Sequence, residues 1–331
     1  MKPTVKKLLQ NKEKTVPILS FPSATLLGVS VNTLISSSDM QLRGMQAISE
    51  RCAIGASLNM MDLSIEAECF GATIRFSEDD VPTVEKGVLD DIYAVDSIKV
   101  PTELSKRAGE YVEGVRKAKE KIKDIPVFCG AIGPFSLAGR LFDMTELMME
   151  CYDSPEEVSK LISKATEFIK SYILAYKAAG ADGVILAEPA AGLLSPALAD
   201  EFSMPFVKEI IDTVSDENFV FCYHNCGGAV VDMAEGIASL GADIYHFGNA
   251  IDMKDIITLM PSDSVVMGNV NPLLFRDGTV DEMKMAVTNL YNDLSHYENF
   301  MISSGCDIPF SAKWENIDAY FSTVKELYAQ G

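Results

Sequence analysis

From about residue 120 onward, short apolar runs rich in β-branched residues alternate with longer stretches of helical character. Strands that alternate with helices predict right-handed βαβ units and a parallel sheet. The runs in this part of the chain are 125–135, 181–189, 219–228, 242–249, 264–272 and 300–309. Two earlier runs, 16–21 and 56–64, bring the number of predicted strands to eight. The sequence therefore predicts an α/β fold, a (β/α)8 barrel.

Helix starts within this pattern carry recognisable signals. Ser154 precedes Pro155, and Glu157 stands three residues after the serine, as in a capped helix start. We expect that helix to continue to Gly180, and a second Ser-Pro start opens the helix after Ser195. Residues 66–87 break the rhythm and are interpreted as a small β excursion after the second strand. With no linker or internal repeat, we expect one domain over residues 1–331.

Composition and charge narrow the class of protein. The chain has 331 residues, of which 48% are apolar and 23% charged, values typical of a globular protein with a large core. Its 28 basic and 48 acidic residues give a formal charge of −20, which repels phosphate backbones and anionic lipids. No apolar run has the length of a signal peptide core or of a membrane span. We expect a cytoplasmic protein without nucleic-acid or membrane partners.

Seven cysteines, an odd number scattered along a large chain, do not resemble a disulfide framework. Five stand among apolar or small neighbours, where a free cysteine behaves as a small buried hydrophobe. These expected core thiols are Cys52, Cys69, Cys129, Cys151 and Cys222.

The stretch 219–228, "FVFCYHNCGG", is different, because it places His224 two residues before Cys226 at the end of an apolar run. Side chains at this spacing point to one face of a strand. Cys306 lies at the end of the eighth predicted strand, and in a (β/α)8 barrel all strands end at the catalytic mouth. One histidine and two cysteines are the protein ligand set of a catalytic zinc with an open fourth position. We predict that His224, Cys226 and Cys306 bind zinc.

This ligand set indicates a particular chemistry. Two thiolates and a neutral imidazole bring Zn²⁺ to zero net charge, so the metal is a weaker Lewis acid than one held by three histidines. A thiol that binds such a metal loses its proton, yet its sulfur keeps much of its nucleophilicity. The predicted role is activation of a substrate thiol.

These residues, together with "LSFPSATLLG", "MDLSIEAECFGA", "GPFSLAGRL", "EPAAGLLSP" and "SSGCDIP", resemble the corrinoid methyltransferase branch of the uroporphyrinogen decarboxylase superfamily. Its best-known members are methylcobamide:coenzyme M methyltransferases. The resemblance covers nearly the whole chain and implies a barrel with zinc at His224, Cys226 and Cys306. It also implies a methylcobamide donor carried by a partner corrinoid protein. The thiol would attack the methyl carbon in line and leave Co(I). The acceptor stays open between coenzyme M, another small thiol and a pterin.

Two alternatives come with the resemblance. The decarboxylase branch uses no metal and holds its anionic tetrapyrrole with N-terminal arginines, but the first arginine here is Arg43. The segment "GPFSLAGRL" also lacks the tyrosine that follows the Gly-Pro loop of true decarboxylases. The other alternative is a barrel that binds a corrinoid or zinc without catalysis, which nothing in the sequence excludes.

Two acidic residues near predicted strand ends are further candidates. Glu188 ends the fourth predicted strand, where it could be a fourth zinc ligand or accept hydrogen bonds from loop amides. Asp62 ends the second strand, where it could orient substrate or a neighbouring group, or cap a helix.

Four other residues complete the candidate set. Asn269 and Asn271 could line the pocket at the end of the seventh strand or form turns. His246, on the sixth strand, could be a ligand or base, or a core histidine that bonds a backbone carbonyl. Arg140 follows the Gly-Pro loop and could meet an anionic group of the acceptor or form a surface ion pair.

Overall fold

The computed structural model, which describes residues 1–330, contains a curled parallel sheet with helices packed on its outside. The strands are β1 (Ser57–Leu58), β2 (Thr73–Arg75), β3 (Thr83–Lys86), β4 (Val127–Ile132), β5 (Gly183–Ala187), β6 (Val220–Asn225), β7 (Ile244–Phe247), β8 (Val265–Val270) and β9 (Phe300–Ser304). Seven of them form one sheet in the order β1-β4-β5-β6-β7-β8-β9, in which every pair is parallel. The prediction of an α/β fold with a parallel sheet is confirmed.

The described residues form fifteen α-helices, joined by loops and short 3₁₀ turns. They are α1 (Pro3–Gln10), α2 (Ser23–Leu27), α3 (Val31–Ile35), α4 (Ser38–Arg51), α5 (Ile65–Cys69), α6 (Lys106–Lys121), α7 (Pro134–Leu141), α8 (Met144–Asp153), α9 (Pro155–Ala178), α10 (Pro196–Phe202), α11 (Met204–Val214), α12 (Ala234–Ser239), α13 (Pro272–Arg276), α14 (Val280–Leu294) and α15 (Trp314–Gln330).

The predicted helix starts are confirmed, but the predicted cap at Ser154 is not, because its side chain makes no capping hydrogen bond. Helix α9 begins at Pro155, whose fixed φ and missing N–H suit the first helical position. It ends just before Gly180, which has φ +97°, a conformation that glycine adopts without strain. Helix α10 begins at Pro196, and the Ser195 hydroxyl accepts a hydrogen bond from the backbone of Leu198.

Two buried apolar clusters hold the fold together. The larger lies between the sheet and the outer helices, and the smaller fills the inside of the curled sheet with side chains such as Phe128, Ile185 and Val220. Val5 and Leu8 of α1 belong to the inner cluster, so this helix covers one end of the sheet. Burial of each such side chain stabilises the fold by roughly 1.5–3 kcal/mol before the entropic cost of ordering it.

The predicted barrel of eight strands is not confirmed, since the main sheet has seven and residues 16–21 form no strand. This segment still runs between the two edge strands. The carbonyl of Thr15 accepts from the backbone N–H of Gly55, next to β1, at 2.7 Å. On the β9 side, the Ser304 hydroxyl accepts from the backbone of Ile18 at 3.0 Å. Pro17 has no N–H to donate to a ladder, which disfavours regular strand pairing in this segment.

The small β excursion is confirmed as an antiparallel hairpin of β2 and β3 after the second predicted strand. Asp80, Val81 and Pro82, in the connection between the two strands, line a cavity at the carboxyl ends of the parallel strands, as described below. The hairpin therefore belongs to the same end of the molecule as the candidate site.

All seven cysteines are free thiols. Four of the five expected core thiols are buried, and Cys69 is partly buried. Within the described residues, no helix combines the length and the apolar character needed to cross a membrane.

Candidate metal centre

His224, Cys226 and Cys306 come together at the carboxyl edge of the sheet. His224 lies at the end of β6, Cys226 just beyond that strand, and Cys306 two residues beyond β9. One ligand atom from each lies within 4.8 Å of the other two. The Nε2 atom of His224 and the Sγ atom of Cys306 are 3.6 Å apart. Residues 82 positions apart in sequence thus form one compact cluster.

The donor set fits a tetrahedral metal ion. With usual bond lengths of about 2.3 Å to sulfur and about 2.0–2.1 Å to nitrogen, two ligands of tetrahedral zinc lie ~3.6 Å apart. The His224–Cys306 separation matches this value. Two sulfur donors and one imidazole suit zinc better than magnesium or calcium, which prefer oxygen.

The ring of His224 is oriented by the neighbouring strand. Its Nδ1 atom lies 3.2 Å from the backbone carbonyl of His246 on β7. A carbonyl can only accept, so Nδ1 carries the proton and donates it. Nε2 is then left with a lone pair directed at the cysteine side of the cluster. This pairing of a ring N–H with an outer carbonyl is typical of histidine ligands of metals.

The two thiols of the cluster influence each other's ionisation. A hydrogen bond from Cys306, with His224 as the next cause, holds the pKa of Cys226 well below its ordinary value. The thiolate of Cys226 in turn raises the pKa of Cys306, and burial adds to this increase. One thiolate therefore forms readily, while a second requires a further positive charge such as a bound metal.

Close backbone packing positions the loop that carries Cys226. The Asn225 side-chain oxygen accepts from the backbone of Gly227 at 2.9 Å, which turns the chain sharply after β6. Gly227 packs against Gly192, and a Cβ atom on Gly227 would lie 2.4 Å from the Gly192 Cα atom. The paired glycines of "FVFCYHNCGG" thus have different roles, since a Cβ atom on Gly228 would contact nothing within 4 Å.

Glu188 and His246 adopt the hydrogen-bonding roles considered for them. Both carboxylate oxygens of Glu188 accept backbone N–H groups at the start of α7, from Phe135 at 3.0 Å and Ser136 at 2.7 Å. Burial raises the pKa of Glu188 to about 7. The Nε2 atom of His246 donates to the Ser304 carbonyl at 2.7 Å. Burial, and then His224, lower the pKa of His246 well below its usual value.

Asp62 lies in a buried ion pair with Arg107. It also accepts hydrogen bonds from the Tyr111 hydroxyl at 2.9 Å and the Ser64 hydroxyl at 2.7 Å. Its carboxylate oxygens are therefore occupied by the protein. Asp62 therefore orders the loop that follows β1.

Asn269 lies in β8 and Asn271 just after it, and both are outside the residues that line the cavity at this edge. The Asn269 amide donates to the carbonyls of Gly248 and Ile251, both at 2.9 Å. Asn271 caps helix α13, because its side-chain oxygen accepts from the backbone of Leu273 at 2.9 Å. Asn269 therefore links β8 to the loop after β7, and Asn271 orders the start of α13.

A cavity of about 260 Å³ adjoins the cluster. Its walls include the three clustered residues, apolar side chains such as Met61 and Leu63, and part of the hairpin from Asp80 to Thr83. Arg140 lines it, as the sequence allowed, and so does Asp307. Burial, with Asp62 as a smaller cause, raises the pKa of Asp307 well above its usual value. Sequence reasoning missed Asp307, although it directly follows Cys306.

Fold and site together define an α/β protein whose candidate metal-thiolate centre lies at the carboxyl edge of a parallel sheet. The family model described as uroporphyrinogen decarboxylase (URO-D) matches residues 18–327. The chain belongs to this family of enzymes.

Relatives include proteins of two activities. The methylcobamide:CoM methyltransferase MtbA of Methanosarcina mazei is 25% identical over 230 residues, which cover 68% of this chain and 67% of the relative. The uroporphyrinogen decarboxylase of Thermodesulfovibrio yellowstonii is 26% identical over 227 residues, 66% of this chain and 64% of the relative. The chain thus matches about two thirds of the length of these curated relatives.

A solved structure confirms the fold. The structure titled "methyltransferase from Methanosarcina mazei" aligns over 99% of this chain and 100% of its own, with a TM-score of 0.85 and 20% sequence identity. The recognition of this chain as a relative of corrinoid methyltransferases within the superfamily is confirmed by these matches.

Proposed function

We propose that this protein is a zinc-dependent methyltransferase that transfers a methyl group from a methylated corrinoid to a small thiol such as coenzyme M. The corrinoid would be presented by a partner protein. The observation that carries the proposal is the His224, Cys226 and Cys306 cluster, whose ligand atoms lie within 4.8 Å of one another beside a small cavity. The similarity to a methylcobamide:CoM methyltransferase supports the same reaction class.

Each residue of the cluster would have its own role in binding the metal. His224 presents Nε2 as an acceptor because its Nδ1 proton is held by the His246 carbonyl. Cys226 supplies the thiolate that forms first, and Cys306 supplies the second sulfur. When bound, zinc would lower the pKa of an incoming thiol and keep its sulfur nucleophilic. In the overall exchange the acceptor sulfur would gain the methyl group and lose its proton, and the cobalt of the corrinoid would keep the electron pair of the broken Co–C bond.

The surrounding chain would keep the reacting sulfur away from bulk water. The hairpin segment Asp80–Thr83 covers one side of the cavity, and Ile18, Met61 and Leu63 provide apolar walls. Glu188 fixes the start of α7 against the end of β5, which keeps the cavity wall in place.

Decarboxylation of a tetrapyrrole with many carboxylates is the second candidate, because curated relatives include a decarboxylase. The charge of the cavity disfavours it. Among the described residues that line the cavity, Arg140 is the cation, and Asp80 and Asp307 are acidic. A polyanionic ligand would meet too little positive charge there, in a protein that already carries −20.

Metal analysis of matched variants tests the proposal. We expect about one zinc per chain in the wild-type protein, and thiol-dependent demethylation of methylcobalamin. Cys306→Ser should lose both, because a hydroxyl is a harder and weaker zinc ligand than a thiolate. Cys69→Ser is the control, since Cys69 accepts a hydrogen bond from Ser105 outside the cluster.

The results of these measurements distinguish the three candidate functions, which are methyl transfer, zinc binding without catalysis, and decarboxylation. Zinc binding and methyl transfer at wild-type levels in folded Cys306→Ser would show that the proposed site is wrong. Stoichiometric zinc in the wild type without methyl transfer from any corrinoid to any thiol would favour a protein that binds zinc without catalysis. Porphyrinogen decarboxylation by the metal-free protein would favour the second candidate.

A further inference from the structure

Arg140 is a cation without a protein partner in the cavity beside the metal centre. It lies in the last turn of α7 and is half-buried. Its guanidinium makes no hydrogen bond or ion pair with any of the residues 1–330, whereas Arg107 nearby is paired with Asp62 and Glu68. Removing a charge from water is costly unless the charge is paired. A partner from outside the chain would remove this cost.

The helix that carries Arg140 is held firmly at its other end. Its first backbone N–H groups are bound by the Glu188 carboxylate, and the Ser136 hydroxyl accepts from the backbone of Ala190 at 3.0 Å. The residues of α7 from Pro134 to Gly139 are buried. Arg140 is therefore presented to the cavity by a rigid element, as a specific binding group requires.

Among the described residues, none of the acidic groups near Arg140 accepts a hydrogen bond from its guanidinium. Glu66 and Asp62 are the acidic groups that influence it from the protein side. One oxygen of Glu66 accepts from the backbone of Ile132, while its other oxygen bonds neither Arg140 nor another described residue. Asp62 is occupied by Arg107. On the cavity side, Asp80 lies on the hairpin and Asp307 follows Cys306. Because Arg140 is the one cation among the described residues that line the cavity, it can pair with one acidic group of a ligand, and a second acidic group would stay unpaired.

The cavity is also small. Its volume of about 260 Å³ is below the ~300–1,000 Å³ typical of sites for drug-sized ligands. A pterin with its side chain exceeds what such a space encloses, whereas a short-chain thiol fits. The guanidinium presents several N–H donors in a planar fork that matches an oxyanion, so either a carboxylate or a sulfonate suits it.

We propose that Arg140 selects the methyl acceptor by binding its acidic group, so that the preferred acceptor is a short thiol with a single carboxylate or sulfonate. This inference rests on the proposed function, since the thiol end of the same molecule would meet the metal. Arg140 is then a specificity-determining residue that contacts the acceptor away from the reacting sulfur.

Binding measurements on the zinc-loaded protein test the inference without any assay of turnover. Calorimetry would compare 2-mercaptoethanesulfonate and 3-mercaptopropionate with neutral 2-mercaptoethanol, and with mercaptosuccinate, which carries two carboxylates. In the wild type we expect both singly charged thiols to bind at least about 10-fold more tightly than the neutral one. Mercaptosuccinate should bind more weakly than 3-mercaptopropionate.

Substitutions at position 140 test whether Arg140 causes the preference for acidic thiols. Arg140→Gln should weaken both acidic thiols by about 10- to 100-fold, the usual range for loss of a charged hydrogen bond, and change the neutral thiol by less than about 3-fold. Arg140→Lys keeps the charge and should retain part of the preference. Arg43→Gln, which changes an exposed arginine of α4, is the matched control and should alter neither.

Binding of the neutral thiol distinguishes a failure of the inference about Arg140 from a failure of the proposed function. If the neutral thiol binds with release of a proton, while acidic thiols bind no better and Arg140→Gln changes nothing, the inference about Arg140 is wrong and the proposed function stands. If Arg140→Gln weakens neutral and acidic thiols equally, Arg140 has only a structural role. If no thiol of any charge binds the zinc-loaded protein, the proposed function itself fails.

Discussion

At the scale of single residues, hydrogen-bond partners decide which chemistry a side chain can perform. His224 and His246 lie side by side on β6 and β7, with ring centroids 4.6 Å apart. His224 uses Nδ1 on a carbonyl and presents Nε2 to the thiols, whereas His246 uses Nε2 on the Ser304 carbonyl. The same residue type therefore supplies a candidate ligand in one case and a core contact in the other.

Glu66 provides a prediction for pH dependence. Its side chain is fully buried, and burial raises its pKa to about 7. Because an unfolded glutamate has a pKa near 4.3, the native state binds more protons between pH ~4.3 and 7. Stability should therefore fall as the pH rises through this window, by on the order of 3 kcal/mol. Glu66→Gln, which keeps the acceptor for the Ile132 N–H, should remove this loss.

Urea unfolding at pH 5, 6, 7 and 8 would measure the effect as the difference between Glu66→Gln and the wild type. Other titrating groups contribute equally to both proteins, so they cancel. Glu326→Gln, at an exposed position of α15, should leave the pH dependence of the wild type unchanged. A constant difference between the Glu66→Gln and wild-type curves across this range would show that Glu66 ionises normally.

The sequence predicts the role of a site residue when the partners of that residue lie close to it in the chain. The i, i+2 spacing of His224 and Cys226 is local, so the sequence shows it, and the strand count places Cys306 at the same edge. The choice between ligand and hydrogen-bond acceptor for Glu188 depends on amides about 50 residues away. Such partners cannot be read from the residues around Glu188, and the sequence left both roles open.

At the scale of elements, the loops after β5 and β6 are joined by a contact between glycine backbones. A Cβ atom on Gly227 would lie 2.4 Å from the Gly192 Cα atom and 2.6 Å from its oxygen, and backbone cannot yield as a flexible side chain does. Gly227→Ala should therefore displace the loop that carries Cys226. We expect a loss of about 1–3 kcal/mol in stability and of about 10-fold or more in zinc affinity.

Gly228→Ala is the matched control for this prediction, because a Cβ atom there would contact nothing within 4 Å. Competition for zinc with a chromogenic chelator, together with urea unfolding, would measure both quantities. Equal zinc affinity in the two alanine variants would mean that the glycine contact does not position Cys226.

Local sequence patterns predict most helices and strands correctly, but the first predicted strand, 16–21, is absent from the structure. The run 16–21 is apolar and β-rich, yet Pro17 removes a donor that a central strand needs. The sequence contains this signal, because a proline within such a run favours an edge strand or an irregular segment. The hairpin of β2 and β3 was predicted as an excursion, whereas its position over the cavity depends on tertiary packing.

At the scale of the whole molecule, the sheet curls so far that one irregular segment contacts both of its edges. Thr15 bridges to Ile54 beside β1, and the Ser303 hydroxyl of β9 donates to the Val16 carbonyl at 2.8 Å. The backbone N–H of Ile308 reaches the Ile18 carbonyl at 2.9 Å. Ile18 itself lines the cavity, so the segment that joins the edges also forms a wall of the site. A single domain over residues 1–331 stays a prediction.

The contact between Ile18 and Ser304 provides a test of this closure. Ser304 is fully buried, and its hydroxyl accepts the Ile18 N–H at 3.0 Å. Ser304→Ala would leave that N–H buried without an acceptor, which costs about 1–3 kcal/mol. We expect a loss of this size in urea unfolding and faster hydrogen exchange at the Ile18 amide. Ser322→Ala, which removes an exposed hydroxyl from α15, should leave both quantities close to the wild type. If Ser304→Ala behaves like this control, the segment does not hold the two edges of the sheet together.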